Sequence, residues 1–102
     1  MENISEVSKE SLRSAVSTKN PDGVAAIVQK SALKTCTFDK EDDFILVLDR
    51  IQDPGNLGNL FRTALAAGVN KVLLGGGASP FNKKVIRSSC GSIFHLPFHR
   101  IE

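Results

Sequence analysis

The chain has 102 residues, enough for one domain with a single modest core. Hydrophobic residues make up 41% and charged residues 24%, an ordinary globular balance, and no apolar run approaches the roughly 20 residues that span a bilayer. The net charge of +2 divides unevenly. Residues 1–43 hold six Lys/Arg against eight Asp/Glu, giving −2, whereas residues 44–102 hold seven against three, giving +4. The second part therefore suits a polyanionic partner without demanding one.

In chain order, Met1 to Glu6 lacks the basic start and apolar core of a secretory signal, and is too acidic for a typical transit peptide. Ile4, Val7, Leu12 and Val16 are spaced loosely on a helical period, predicting a short surface helix from Ile4 to Ser17. Asn20-Pro21-Asp22-Gly23 is a turn. Val24 to Gln29 reads as a short buried strand, and Ser31 to Asp43, ending in an acidic cluster, as a solvated linker. The two cysteines, Cys36 and Cys90, lack zinc-ligand spacing, favour a reducing compartment, and Cys90 reads as a small packed residue.

Phe44-Ile45-Leu46-Val47-Leu48 is apolar throughout, which predicts a strand covered on both faces, as in a parallel sheet. The turn at Asp53-Pro54-Gly55 leads into a helix that Gly68 ends in a left-handed stop. Leu57, Leu60, Phe61 and Ala64 share one face of that helix, while Asn59, Arg62 and Thr63 share another. Asn56 suits the cap at the helix start. Arg62 falls in the second turn. Lys71 to Leu74 is a second buried strand, completing a βαβ unit over residues 44–74. The Gly75-Gly76-Gly77 loop follows, either a turn or a backbone cradle for phosphate. Next come a basic helix from Asn82 to Ser89 with Lys83, Lys84 and Arg87, and a third parallel strand from Ile93 to Leu96. The fold class is α/β, a parallel sheet with flanking helices.

Neither a P-loop nor a G-x-G-x-x-G fingerprint opens the helix. The run from Val47 to Ala67 instead resembles the first motif of the SpoU-type RNA ribose 2′-O-methyltransferases, members of the SPOUT superfamily. Asp53, Pro54, Asn56, Gly58, Arg62, Thr63, Ala64 and Gly68 stand in register with that motif. Lys84, Arg87, Ser89 and Gly91 resemble the family's Lys-x-x-Arg-x-Ser-x-Gly stretch, and Ser92 to Pro97 the strand after it. The resemblance covers Pro21 to Pro97.

It implies methyl transfer from S-adenosylmethionine to a ribose 2′-hydroxyl of tRNA or rRNA. Arg62 would be the catalytic arginine and Asn56 would position it or the substrate. Arg62, Lys83, Lys84 and Arg87 would contact RNA. The resemblance further implies a homodimer, located in the cytoplasm or in an organelle. The family's two later motifs, which build the cofactor pocket and the trefoil knot, do not occur in this sequence. The expected organisation is an N-terminal helical extension over residues 1–20 and a partial methyltransferase domain over 21–102. Such a chain is expected to bind the cofactor weakly and to leave apolar sheet surface open, favouring self-association. Two other readings remain: a catalytically silent RNA-binding or dimerisation module, and an unrelated nucleotide-binding domain built on Gly75–Gly77.

Overall fold

A computed structural model describes residues 3–16, 22–33 and 35–101. Three strands, β1 (Ile45–Asp49), β2 (Lys71–Gly75) and β3 (Phe98–Ile101), form one parallel sheet in the order β1-β2-β3. The register pairs Leu46 with Val72 and Val72 with Phe98, so one row of inward side chains crosses the sheet. Three helices accompany it: α1 (Lys9–Ala15), α2 (Pro54–Ala67) and α3 (Lys83–Ser88). Single 3-10 turns occupy Lys30–Ala32 and Ser92–Phe94.

The core lies between the sheet and α2 with α3. Leu57, Phe61 and Ala64 of α2 and Val85 of α3 pack with Leu48, Val72, Leu74 and Phe98 of the strands. The rings of Phe61 and Phe98 meet edge to face, with centroids 5.8 Å apart. Four apolar residues at helical spacing on α2 thus do what their periodicity predicts.

The opposite face of the sheet is open. Ile45 and Val47 of β1 and Ile101 of β3 are exposed, while Leu46 and Leu48 face the core. The apolar run of β1 does not mean cover on both faces here. Part of the open face is crossed by residues 35–43, which are docked and not a solvated linker. Thr35 bridges Phe98 in parallel and the Cys36 N–H donates to the Phe98 carbonyl at 2.9 Å. Lys71 Nζ then pairs with Asp42 at 2.9 Å and Asp39 at 3.5 Å, and donates to the Thr37 carbonyl at 2.8 Å. The acidic cluster is therefore the counter-charge of a strand lysine.

Two predicted strands take other forms. Val24–Gln29 forms no strand, and Val24 and Ile27 are exposed, because no described strand lies alongside to complete a ladder. Ile93–Leu96 is buried but turned. Gly91, at φ 83°, starts a 3-10 turn closed by Phe94 N–H to Gly91 O, and Leu96 N–H returns to Ser92 O. The strand begins only after Pro97. A short apolar run reports burial; it does not by itself separate a strand from a buried turn.

The N-terminal helix is shorter than the spacing predicts. Ser8 caps it, its Oγ accepting the Ser11 N–H at 3.1 Å, and none of its residues is buried. Ser17, the start of the Asn20–Gly23 turn and the boundary between residues 20 and 21 lie outside the described residues. No helix among the described residues is long and apolar enough to cross a membrane.

Candidate functional site

The site is built on α2, and its first turn explains the Asp-Pro-Gly-Asn order. Asp53 is the N-cap: its Oδ2 accepts the Asn56 N–H at 2.7 Å. Pro54 takes the first helical position, where its missing N–H costs nothing. The capping role offered to Asn56 thus falls to Asp53, and the Asn56 side chain is left exposed. At the other end Gly68 adopts φ 87° and Val69 N–H reaches back to Ala64 O, the predicted left-handed stop.

Gly58 is fixed by close approach. A Cβ there would run into Ser88 Oγ and the Val85 carbonyl of α3. The Ser88 hydroxyl donates to Val85 O at 3.2 Å and lies 3.4 Å from Pro54 O, tying the helices at this crossing. The stretch from Lys84 to Gly91 is equally structural at its centre. Ser89 is fully buried with its hydroxyl on Ile86 O at 2.7 Å, and the Ser92 hydroxyl donates to Ser89 O. Cys90, expected to be packed, is exposed at φ 51°, so the packed small residues here are serines.

Gly55, Gly58 and position 62 follow one another along the edge of α2 that turns to α3. Arg62 is the ninth residue of α2, hence in its third turn, not its second. It is exposed and makes no ion pair or hydrogen bond with the described residues. Lys84 joins this edge: its Cε lies 3.6 Å from where a Gly55 Cβ would stand. Asn56 lies about 9 Å back along the axis from Arg62 and about 120° around it. The two therefore occupy neighbouring, not identical, faces.

The basic residues of α3 are divided. Lys84 leans on α2, whereas Lys83 and Arg87 line a cavity of about 500 Å³ together with Val24, Lys30, Ile86 and Phe94. Neither Arg62 nor Asn56 lines that cavity.

The glycine loop after β2 is packed against its own chain. A Cβ at Gly77, φ 75°, would strike the Ile51 backbone, and the Ala78 N–H donates to Ile51 O at 2.7 Å. Close backbone contact accounts for the glycine, which removes the ground for a nucleotide-binding domain built on this loop. The sequence reading did not single out Asp49 and Arg50, which form an exposed ion pair beside the same loop. The signal for it was an Asp-Arg pair closing the strand ahead of Asp53.

Comparison with known proteins places this α/β body in a family. The SpoU rRNA Methylase family model matches residues 43–102, more than half of the chain. The chain belongs to that family. It is 41% identical over 95 residues to the 23S rRNA (guanosine(2553)-2'-O)-methyltransferase RlmP of Bacillus subtilis, covering 92% of this chain and 37% of that protein. A crystal structure of an RNA 2'-O ribose methyltransferase superposes with a TM-score of 0.70 at 29% identity, over 93% of this chain and 37% of that one. The AdoMet-bound rRNA methyltransferase of Sinorhizobium meliloti gives 0.56 at 42% identity, over 60% of this chain and 24% of the other. The chain thus spans between about a quarter and little more than a third of the length of these relatives.

Proposed function

We propose that this chain forms the RNA-acceptor part of a ribose 2′-O-methyltransferase acting on rRNA or tRNA. The observation that carries the reading is the intact cap-to-stop helix α2, seated on α3 through Gly58, with Arg62 exposed about 10 Å further along the edge that Lys84 joins at Gly55. Arg62 does not serve as the base, since a guanidinium stays protonated in a protein. It holds an RNA phosphate in a bidentate grip, and a phosphate oxygen takes the proton of the neighbouring 2′-hydroxyl. Asn56 orients the ribose from the adjacent face. Lys84 adds a phosphate contact on the α2 edge, and Lys83 and Arg87 add others on the far side of α3.

S-adenosylmethionine is the methyl donor in this reading, as in the solved relatives that bind it. The residues assigned here, Arg62, Asn56, Lys83, Lys84 and Arg87, all lie on α2 and α3 and contact the acceptor. The role assigned to this chain is therefore on the acceptor side. The exposed Ile45, Val47 and Ile101 on the open sheet face favour a second reading, a catalytically silent module that binds RNA or pairs with a second copy.

Fluorescence anisotropy with a labelled ribosomal RNA hairpin tests the proposal. Arg62→Ala is expected to weaken binding about tenfold without moving the melting temperature. Lys84→Ala is expected to weaken it a few-fold and to reduce the salt slope by about one. Affinity unchanged in both variants would sink the acceptor reading.

A further inference from the structure

The residues assigned above all lie on α2 and α3, yet the backbone feature nearest the end of β1 is elsewhere. Arg50 has φ 53°. An arginine in the left-handed region is uncommon, and such outliers concentrate where a site needs them. Had β1 continued, the side chains of Asp49 and Arg50 would point to opposite faces. The left-handed turn instead folds the guanidinium back onto the carboxylate. Nε meets Asp49 Oδ1 at 3.0 Å and Nη2 meets Oδ2 at 3.0 Å, a two-pronged pair.

The turn is held from below. Arg50 N–H donates to Gly75 O at 2.6 Å, and a Cβ on Gly76 would stand 3.3 Å from Arg50 Cγ. The side chains themselves stand in water, 73% and 68% exposed. An ion pair so exposed contributes little to stability, so stability does not account for the strained turn that makes it. Its place offers an account. It sits at the carboxyl end of a parallel strand, where open α/β sheets take ligands, three residues before the Asp53 cap.

We infer that Arg50 is a further RNA-phosphate contact, held by Asp49 in the free protein and handed to the RNA on binding. Two N–H groups on two carboxylate oxygens is the same fork that fits two phosphate oxygens. Asp49 is thus a stand-in for the phosphate. It keeps the guanidinium aimed away from the sheet and is left to solvent when the phosphate arrives. The inference rests on the acceptor reading and adds a fifth basic position to it, on a different element from Arg62, Lys83, Lys84 and Arg87.

Arg50→Gly separates this role from a structural one, because glycine accepts the backbone conformation without strain. Anisotropy with the same labelled hairpin is expected to show binding about three- to tenfold weaker and a salt slope smaller by about one. The melting temperature is expected not to fall. Asp49→Asn is expected to tighten binding about two- to threefold in the native background and to have no effect in the Arg50→Gly background. Equal tightening in both backgrounds would show that Asp49 acts only by its own charge and would overturn the exchange. Native-like affinity in Arg50→Gly, with Arg62→Ala still weakened, would overturn this inference alone. An unmodified chain that binds no RNA would remove the acceptor reading and this inference together.

Discussion

Between Ile45 and Ile101 the apolar side chains meet one another, and Phe61, Val72, Val85 and Ile93 are wholly buried. Between Val24 and Val28 they do not, and Ile27 stands fully in solvent. The second stretch is the more apolar of the two in the sequence, Val24-Ala25-Ala26-Ile27-Val28 being apolar at every position. The difference is that Phe61 and its neighbours recur at a spacing that puts them on one face, with a sheet already in place to receive them. Val24 and Val28 line the cavity beside Ile86 and Phe94 without being buried by it, and Ile27 does not line it at all. Apolar composition supplies the drive to bury; a partner surface decides whether burial happens.

That contrast is broken most severely inside the body. Phe61→Ala removes the ring that meets Phe98 and is expected to cost about 3–5 kcal/mol, enough to unfold a small domain at room temperature; urea titration followed by circular dichroism measures it. Gly58→Ala places a methyl group against Ser88 and the Val85 carbonyl, and about 1–3 kcal/mol is expected from the overpacking. Shrinking Ser88 to Gly in the same chain recovers only part of it, since the Val85 carbonyl remains. Asp53→Ala leaves the Asn56 N–H without its cap, for about 1 kcal/mol. Outside the body, Ile27→Ser is expected to move stability by less than about 0.5 kcal/mol, and a loss as large as that of Asp53→Ala would show that the segment is packed after all.

The docked strap over residues 35–43 lies between these extremes and is sensitive to pH. The Asp42 carboxyl is held below the usual range, first by the Asp39 N–H and then by the Lys71 ammonium. Lys71 is raised, chiefly by its hydrogen bond to Asp42. A depressed carboxylate stabilises above its unfolded pKa of about 4 and loses that contribution as pH falls through its folded value. A raised lysine stabilises below its unfolded pKa of about 10.4 and loses that contribution as pH rises through its folded value. The strap is therefore fastest across the neutral range and loosens at both extremes. The protection factor of the Cys36 amide, whose N–H is bound to Phe98 O, is expected to fall below about pH 4 in the native chain, and to be low at neutral pH as well in Asp42→Asn.

Much of the body was legible in the sequence because its signals are local. Asp53, Pro54 and Gly68 punctuate α2 by their own backbone preferences, and Leu57, Phe61 and Ala64 declare its buried face. The motif around Arg62 could be placed on that helix without any knowledge of what packs nearby. What was not legible depends on partners far away in the chain. Thr35 bridges Phe98 and Asp42 finds Lys71; the left-handed Gly91 that turns Ile93 into a 3-10 helix is, by contrast, a local signal that the apolar run outweighs. The division of Lys83 and Arg87 from Lys84 likewise depends on where α3 sits against α2, which residue counting on a six-residue helix does not reveal.

The order of the sheet has a kinetic consequence. Because β1, β2 and β3 lie side by side in the order in which they are synthesised, each strand emerges beside the one it must join. Nearest-neighbour βαβ closure keeps those loops short, which favours rapid assembly in the direction of synthesis. The strap obeys the opposite rule. Thr35 and Cys36 are made early, but their partner Phe98 belongs to the last strand of the sheet. The strap can therefore take hold of Lys71 on β2 early, through Asp39 and Asp42, but completes its docking only when β3 brings Phe98.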